Sequence, residues 1–306
     1  MNAGILDTIT AAFVDALRTG QGALNQYWLP LLLILATIAF YLQLGPMLAS
    51  GGAGAGDAVG SVLLVSLKIG VFYWLLKHLA DLANAALLTF LQWGVAPTGG
   101  GVSAATFLAP SKVLDVGFTI GAPIREFTNS FIHWAGVWNW PMLITYSLAY
   151  YAIVIAFAFI ALHLMVTIIE YYLAVMVATV LIPFGVLQPT AFFTEFSIGW
   201  VTGGLVRILV TAGIIGIALP LFDLVRFNTT VGGDPTFYSA VVCAITAVIF
   251  AILSWVIPGR AASIAGRGVS LALHAGTLVA GAAGGGRAVL AFTQAIRGTS
   301  RLLRSK

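Results

Sequence analysis

Apolar residues run through this chain in blocks too long for the core of a soluble domain. From 142 to 187 there are 46 residues, and only His163 and Glu170 among them can carry charge. At about 1.5 Å of rise per helical residue, the run far exceeds the roughly 30 Å hydrocarbon core of a bilayer. The pattern predicts lipid as the solvent and two crossings in that stretch. Further blocks at 27–44, 59–95, 198–219 and 237–257 also read as spans, the second as one long helix or a broken pair. The predicted fold is all-α: a polytopic transmembrane helical bundle of five or six spans, with hydropathy alone giving about six.

The segments between the blocks refine this. Residues 1–26 place Ile5, Ile9, Phe13 and Leu17 near helical spacing over a polar opposite face, which predicts an amphipathic helix on the membrane or on a neighbouring subunit. Pro30 falls in the first turn of the following span and Pro46 just past its end. The glycine-rich residues 50–56 read as a hinge, because they lack the Lys-Ser/Thr ending that a phosphate loop needs. Residues 96–141 are the least apolar internal region, and Trp134, Trp138 and Trp140 gather at its end, as a membrane interface favours. The chain therefore divides into an amphipathic N-terminal helix (1–26), first spans (27–95), an interhelical loop region (96–141), core spans (142–257) and a tail (258–306). No internal repeat supports the inverted duplication of many transporters.

Composition adds sidedness. The chain is 60% hydrophobic and 8% charged, against about 25% charged in a typical soluble domain. Seven basic residues and no acid follow Pro258, whereas the rest of the chain carries a net charge of −3. A basic, Ala/Gly-rich tail after the last span places the C-terminus in the cytoplasm. Nucleic-acid binding is the rival reading of the tail, but Phe292 is its lone aromatic residue. The N-terminus does not read as a signal peptide, since Asp7 and Asp15 precede Arg18 and the apolar run begins late. The single cysteine, Cys243, lies in an apolar run and reads as a packing residue.

Ionisable groups inside apolar blocks are the first candidates for chemistry, because charge within lipid is costly and normally faces a bundle interior or a wet cavity. They are Lys68, Lys77, Asp81, His163, Glu170 and Arg207. Lys77 and Asp81, four apart, are expected to pair on one helix face. His163 and Glu170 share a face with Thr167 between them. A proton relay is one reading; an interhelical hydrogen-bond pair, or a turn between crossings at Glu170, Tyr171 and Tyr172, is the plainer one. Arg207 either attracts an anion or pairs with Glu195, Glu170 or Asp81, with structural pairing the better fit. Gly199 and Gly203 form a surface for close helix contact. No metalloprotease, serine-hydrolase or Walker motif occurs, and the four histidines are scattered. The expectation is a protein without catalytic residues, metal or cofactor.

One segment carries a resemblance. Glu170-Tyr171-Tyr172, Leu181-Ile182-Pro183-Phe184-Gly185, Thr190-Ala191-Phe192-Phe193-Thr194-Glu195 and Gly199-Trp200 resemble the TrbL family of conjugal transfer proteins, the polytopic inner-membrane subunit of bacterial type IV secretion systems. Close likeness covers about 30 residues, the span-ending Pro-Phe-Gly break above all, and looser likeness most of the chain. The resemblance implies a homo-oligomeric ring, with five copies as the expectation. It also implies contact with other inner-membrane subunits and the pilin, and a role in pilus assembly and substrate passage. Nucleic acid would enter only as cargo. It further implies a periplasmic N-terminus, which conflicts with six spans and a cytoplasmic tail. Helix breakage at Pro183 frees backbone carbonyls that neighbouring protein must satisfy. Pro183, Phe184, Phe192, Phe193, Glu195, Gly199 and Trp200 are therefore expected at a subunit contact. A stand-alone channel or secondary transporter is the alternative.

Overall fold

The computed structural model describes residues 4–49, 55–96, 107–132, 140–227, 230–231 and 234–268. Residues 50–54 of the expected hinge, Trp134, Trp138 and the tail beyond Gly268 lie outside the described residues, and the last two residues of that expected hinge begin α2. Among the described residues seven long helices carry the fold: α1 (Gly4–Ala49), α2 (Ala55–Lys77), α3 (Leu79–Val95), α4 (Pro110–Ile132), α5 (Trp140–Leu181), α6 (Ala191–Phe227) and α7 (Phe237–Gly268). Two-residue strands, Thr230–Val231 and Asp234–Pro235, pair antiparallel between α6 and α7. By length and composition five segments can cross a membrane: Gly4–Gly45, Val59–Lys77, Trp140–Val186, Gln188–Phe222 and Phe237–Gly266.

α5 is the axis of the bundle. It has neither glycine nor proline after Pro141, so nothing interrupts its 42 residues, and it runs about 63 Å. This corrects the expectation of two crossings here: Glu170, Tyr171 and Tyr172 lie within one continuous helix. Tyr171 is fully buried, and its hydroxyl donates to the Ala83 carbonyl at 2.8 Å.

The neighbours of α5 can be read from their pairings. α4 runs antiparallel to it, with Gly117 beside Phe157 and Gly121 beside Tyr150. A Cβ on Gly117 would lie 2.5 Å from the Phe157 Cβ, so glycine sets this close approach. α6 is also antiparallel to α5, with Gly204 against Tyr171 and Phe222 against Phe157. α7 runs parallel to α5, with Phe237 edge-on to Tyr146 and Trp255 stacked on Phe159.

The amphipathic helix and the first span form one helix, since α1 continues through Pro30 and Pro46. Its N-terminal part lies along α5, where Gln21 Nε2 donates to Thr179 Oγ1 at 3.3 Å. Asp7 caps the start of α4 by accepting from the Ser111 backbone N–H at 2.9 Å and from its hydroxyl, a favourable place for a carboxylate. The 59–95 block is a broken pair: the chain departs from helical geometry at His78, with φ −107° and ψ 10°. α7 likewise continues through Pro258 and Gly259, which had read as its end.

Candidate functional site

The break after α5 is held by side chains from two other elements. Pro183 lacks the N–H that an α-helical hydrogen bond needs and its ring crowds the preceding turn, which favours a break where the neighbours can satisfy the freed carbonyls. The chain tightens into a 3-10 turn at Ile182–Val186, extends at Leu187 (φ −89°, ψ 129°), makes a second 3-10 turn at Gln188–Thr190 and enters α6. Carbonyls freed by the break find partners. Thr194 Oγ1 lies 3.0 Å from both the Leu181 and Ile182 oxygens and has one proton to share between them. Thr190 Oγ1 donates to Phe184 O at 2.8 Å. Lys68 Nζ reaches from α2 to donate to Val186 O at 3.0 Å. Gly185 closes the turn, because a Cβ there would lie 2.6 Å from Phe72 Cζ and 2.8 Å from Thr194 Oγ1. Buried Ile182, Pro183 and Val186 complete it.

On the outer side of the break the aromatic residues gather. The Phe184 and Phe193 rings lie 5.6 Å apart and those of Phe192 and Phe193 4.1 Å apart. Phe192 is 57% exposed, Phe193 40% and Phe196 68%, so the segment presents apolar area away from its own bundle.

Further along α6, Arg207 forms an ion pair with Glu170 of α5, using Nη1. The pair borders a cavity of about 570 Å³ between α5, α6 and the end of α7, lined also by Thr167, Trp200, Gly203 and Ser263. Both side chains remain partly exposed there. Gly199 and Gly266 face each other across the α6–α7 crossing, where a Cβ on Gly199 would lie 2.9 Å from the Gly266 carbonyl oxygen. Gly199 thus lets α6 approach the chain's own α7 closely. Trp200 faces the cavity.

The expected residues therefore sort into two groups that the fold brings near each other and one pair that it does not. Pro183, Phe184, Phe192, Phe193 and Lys68 meet at the break, with half-buried Glu195 on the first turns of α6. Glu170, Arg207, Gly199 and Trp200 border the cavity. Lys77 and Asp81 do not pair: the interruption at His78 separates the two helices that carry them. Of the three acids considered for Arg207, Glu170 is the one it meets. Among the described residues His163 Nε2 is buried without a hydrogen-bond partner, while the buried Thr167 hydroxyl donates back to the His163 carbonyl at 2.8 Å, four residues before it. The Thr167 hydroxyl thus bonds the His163 backbone and not its ring.

A second polar cluster escaped the sequence reading. Arg18 Nη2 donates to Asn84 Oδ1 at 2.9 Å and to the Tyr172 hydroxyl at 3.0 Å, and that hydroxyl donates to Asn84 Oδ1 at 3.0 Å. The Arg18 guanidinium also lies 5.1 Å from the centre of the Tyr172 ring, within cation–π range. Three helices, α1, α3 and α5, are joined by these groups. The signal available was Asn84, an amide in an apolar helix and so in need of a partner.

The sequence profile of a family described as TrbL/VirB6 plasmid conjugal transfer protein matches residues 36–257. The matched stretch contains the break, the ion pair and the spans from α2 to the apolar part of α7. No curated protein matches the chain.

Proposed function

Because this chain belongs to the TrbL/VirB6 plasmid conjugal transfer family, we propose that it is a non-catalytic inner-membrane subunit of a type IV secretion machine. Its family makes it a membrane subunit of a conjugal transfer system that works with other subunits, and five apolar helices make it multi-pass. The finer reading is a scaffold that supports pilus assembly and substrate translocation. It would assemble as a homo-oligomeric ring touching other inner-membrane subunits and the pilin, with its basic tail in the cytoplasm.

The observation that carries this reading is the break. A transporter's broken helix leaves backbone groups free to bind its substrate. Here the carbonyls of Leu181, Ile182, Phe184 and Val186 are taken by Thr194, Thr190 and Lys68. What the segment offers is exposed phenylalanine, which suits a protein partner. A cysteine at Phe193 should cross-link to another subunit in the intact system, and Phe193→Ala should lower transfer while the protein still accumulates in the membrane. Labelling from lipid alone, with no cross-linked subunit, would reject the contact. Purified chain that moves a solute across liposomes without its partners would favour the transporter reading. A reporter fused after Lys306 should be active in its cytoplasmic form, and strong alkaline phosphatase activity there would reverse the assignment.

A further inference from the structure

Two hollows lie along one seam of the bundle. α5 and α7 run side by side from Phe237 at Tyr146 to Trp255 at Phe159. Between them is a groove of about 530 Å³ with an apolar lining that includes Ala152, Ala156 and Phe159 of α5 and Val248, Ile252 and Trp255 of α7. The cavity at Glu170 and Arg207 is bounded by the same two helices farther on, at Thr167 and Glu170 and at Gly259, Ser263 and Gly266. On α5 the positions run 152, 156, 159, 163, 167 and 170, with His163 bridging groove and cavity. On α7 they run 248, 252, 255, 259, 263 and 266. Every step is three or four residues, so each helix presents both hollows on one stripe.

The seam has the polarity and the length of a lipid. α5 and α7 are the most apolar of the five helices able to cross a membrane. The apolar run of α7 ends at Ile257, and Arg260, Ser263 and Arg267 follow beside the cavity end. From Ala156 in the groove to Glu170 in the cavity is about 21 Å of helix, roughly half of a 40–45 Å bilayer with its headgroups.

The charged end has bonding capacity to spare. Arg207 engages Glu170 through Nη1 and Oε2, and among the described residues neither Nη2 nor Oε1 has a side-chain partner. Nη2 lies on the cavity side, 4.0 Å from where a Cβ on Gly259 would be. One free guanidinium edge and one free carboxylate oxygen match a phosphate joined to an ammonium group. A headgroup with phosphate alone would leave Glu170 facing like charge. Between the two hollows, buried His163 Nε2 lacks a partner among the described residues; the glycerol-ester oxygens of a lipid lie between headgroup and chain and would accept from it.

We propose that the α5–α7 seam holds one amine-bearing phospholipid, with its phosphate on Arg207, its ammonium on Glu170 and an acyl chain in the groove beside Trp255. The site is separate from the aromatic surface at the break and does not depend on the ring.

The test is native mass spectrometry of the full-length chain, delipidated in detergent and titrated with phosphatidylethanolamine, phosphatidylglycerol or tail-less glycerophosphoethanolamine. One phosphatidylethanolamine should bind per chain, about tenfold or more tighter than phosphatidylglycerol, the worth of a charge-assisted hydrogen bond. Glu170→Gln keeps an acceptor for Arg207 and should abolish that preference. Ile252→Trp fills the groove without touching the ion pair, at a position 57% exposed. It should weaken phosphatidylethanolamine about tenfold, as loss of an apolar contact area of this size does. The groove variant keeps the test open if Glu170→Gln does not fold. Equal binding of the two lipids to the unaltered chain would overturn the headgroup assignment. Unchanged binding to Ile252→Trp would place the lipid elsewhere. Tail-less headgroup bound as tightly as the lipid would make this a site for a soluble zwitterion, and a lipid-free dimer would give the groove to a second copy of the chain; either overturns the proposal.

Discussion

The hairpin of α1 and α2 and the α5–α6 pair are all apolar enough to cross a membrane, yet the chain packs them differently. In the Val59–Lys77 span 11% of the most apolar window is buried, against 44% for Trp140–Val186 and 47% for Gln188–Phe222. Beyond Trp28, which meets Tyr73, α1 packs on α2, and α2 in turn on α1, the break and the start of α3. Leu33, Ile34, Leu42, Leu63 and Leu67 face outward. Hydropathy alone does not say whether a span is held by its neighbours or by lipid. The distinction lies in small residues, which let backbones approach, and in polar side chains, which need partners. The α4–α6 region has both, in Gly117, Gly121, Gly204 and the Glu170–Arg207 pair. The hairpin has Gly60 and Gly70, each with nothing within 4 Å of its would-be Cβ.

The comparison is broken most directly at those glycines. Gly117→Leu should lower the amount of folded protein sharply, because even its Cβ collides with Phe157 and backbone must move; overpacking of this kind costs about 1–3 kcal/mol or more. Gly70→Leu meets open space and should be neutral for folding. Detergent-extracted protein monitored by thermal aggregation distinguishes the two. Equal losses would mean that the hairpin is packed as tightly as the core.

The ion pair comes next. Glu170→Ala leaves Arg207 at the edge of the cavity without its partner, and a charged hydrogen bond is worth about 1.5–3 kcal/mol. Partial exposure to the cavity should bring the loss toward the lower end of that range. Arg207→Met in the same chain should recover part of the loss, since it removes the orphaned charge. Additive damage in the double variant would show that the two residues act separately.

Much of this was legible in the sequence, and the failures have one physical origin. Long apolar blocks identify membrane helices, and Pro183 with Gly185 marks a real break that its neighbours satisfy. That Arg207 pairs with an acid was expected from the cost of charge in lipid, but which of Glu195, Glu170 and Asp81 it meets came from the fold. What the pattern could not supply was helix continuity. Pro30 and Pro258 read as boundaries, yet α1 and α7 run through them, because a proline costs a helix one hydrogen bond and packing outside that turn decides the rest. The 46 apolar residues from 142 to 187 read as two crossings; one helix longer than the bilayer core is equally apolar. Lys77 and Asp81 have the spacing of a pair, but the local departure at His78, whose Nδ1–H donates to the Trp74 carbonyl at 3.0 Å, takes them off a common helix. The polar face of α4 was hidden for a related reason. Its prolines and charges read as loop, although the exposed residues Lys112, Asp115, Thr119, Glu126 and Asn129 have helical period.

A smaller effect is expected where hairpin and core meet. Lys68→Met keeps most of the apolar stem and removes the ammonium group that donates to Val186 O. The loss should be about 0.5–1.5 kcal/mol, the worth of one ordinary hydrogen bond, with a larger effect on the break than on the bundle. Proteolysis near Val186 would report it, as faster cleavage in the variant with unchanged overall melting. If cleavage there is unaltered, Lys68 does not hold the break.

The smallest effect should come from the outer face of the hairpin itself. Leu63 and Leu67 are 64% and 65% exposed, one helical turn apart on α2, so Leu63→Ala and Leu67→Ala remove side chains that touch little of the protomer. A core leucine truncated to alanine typically costs about 2–5 kcal/mol, and the matched control is Leu164→Ala in α5, whose side chain is fully buried. For the two hairpin positions the change should stay within about 0.5 kcal/mol, as at surface sites without special contacts. The reason is that alanine remains compatible with lipid and with helix, leaving no cavity and no unpaired polar group. Thermal aggregation of single variants in detergent measures the protomer term by itself. A loss at Leu67 as large as at Leu164 would show that α2 folds against a protein surface even in the isolated chain, and the contrast between the two regions would then collapse.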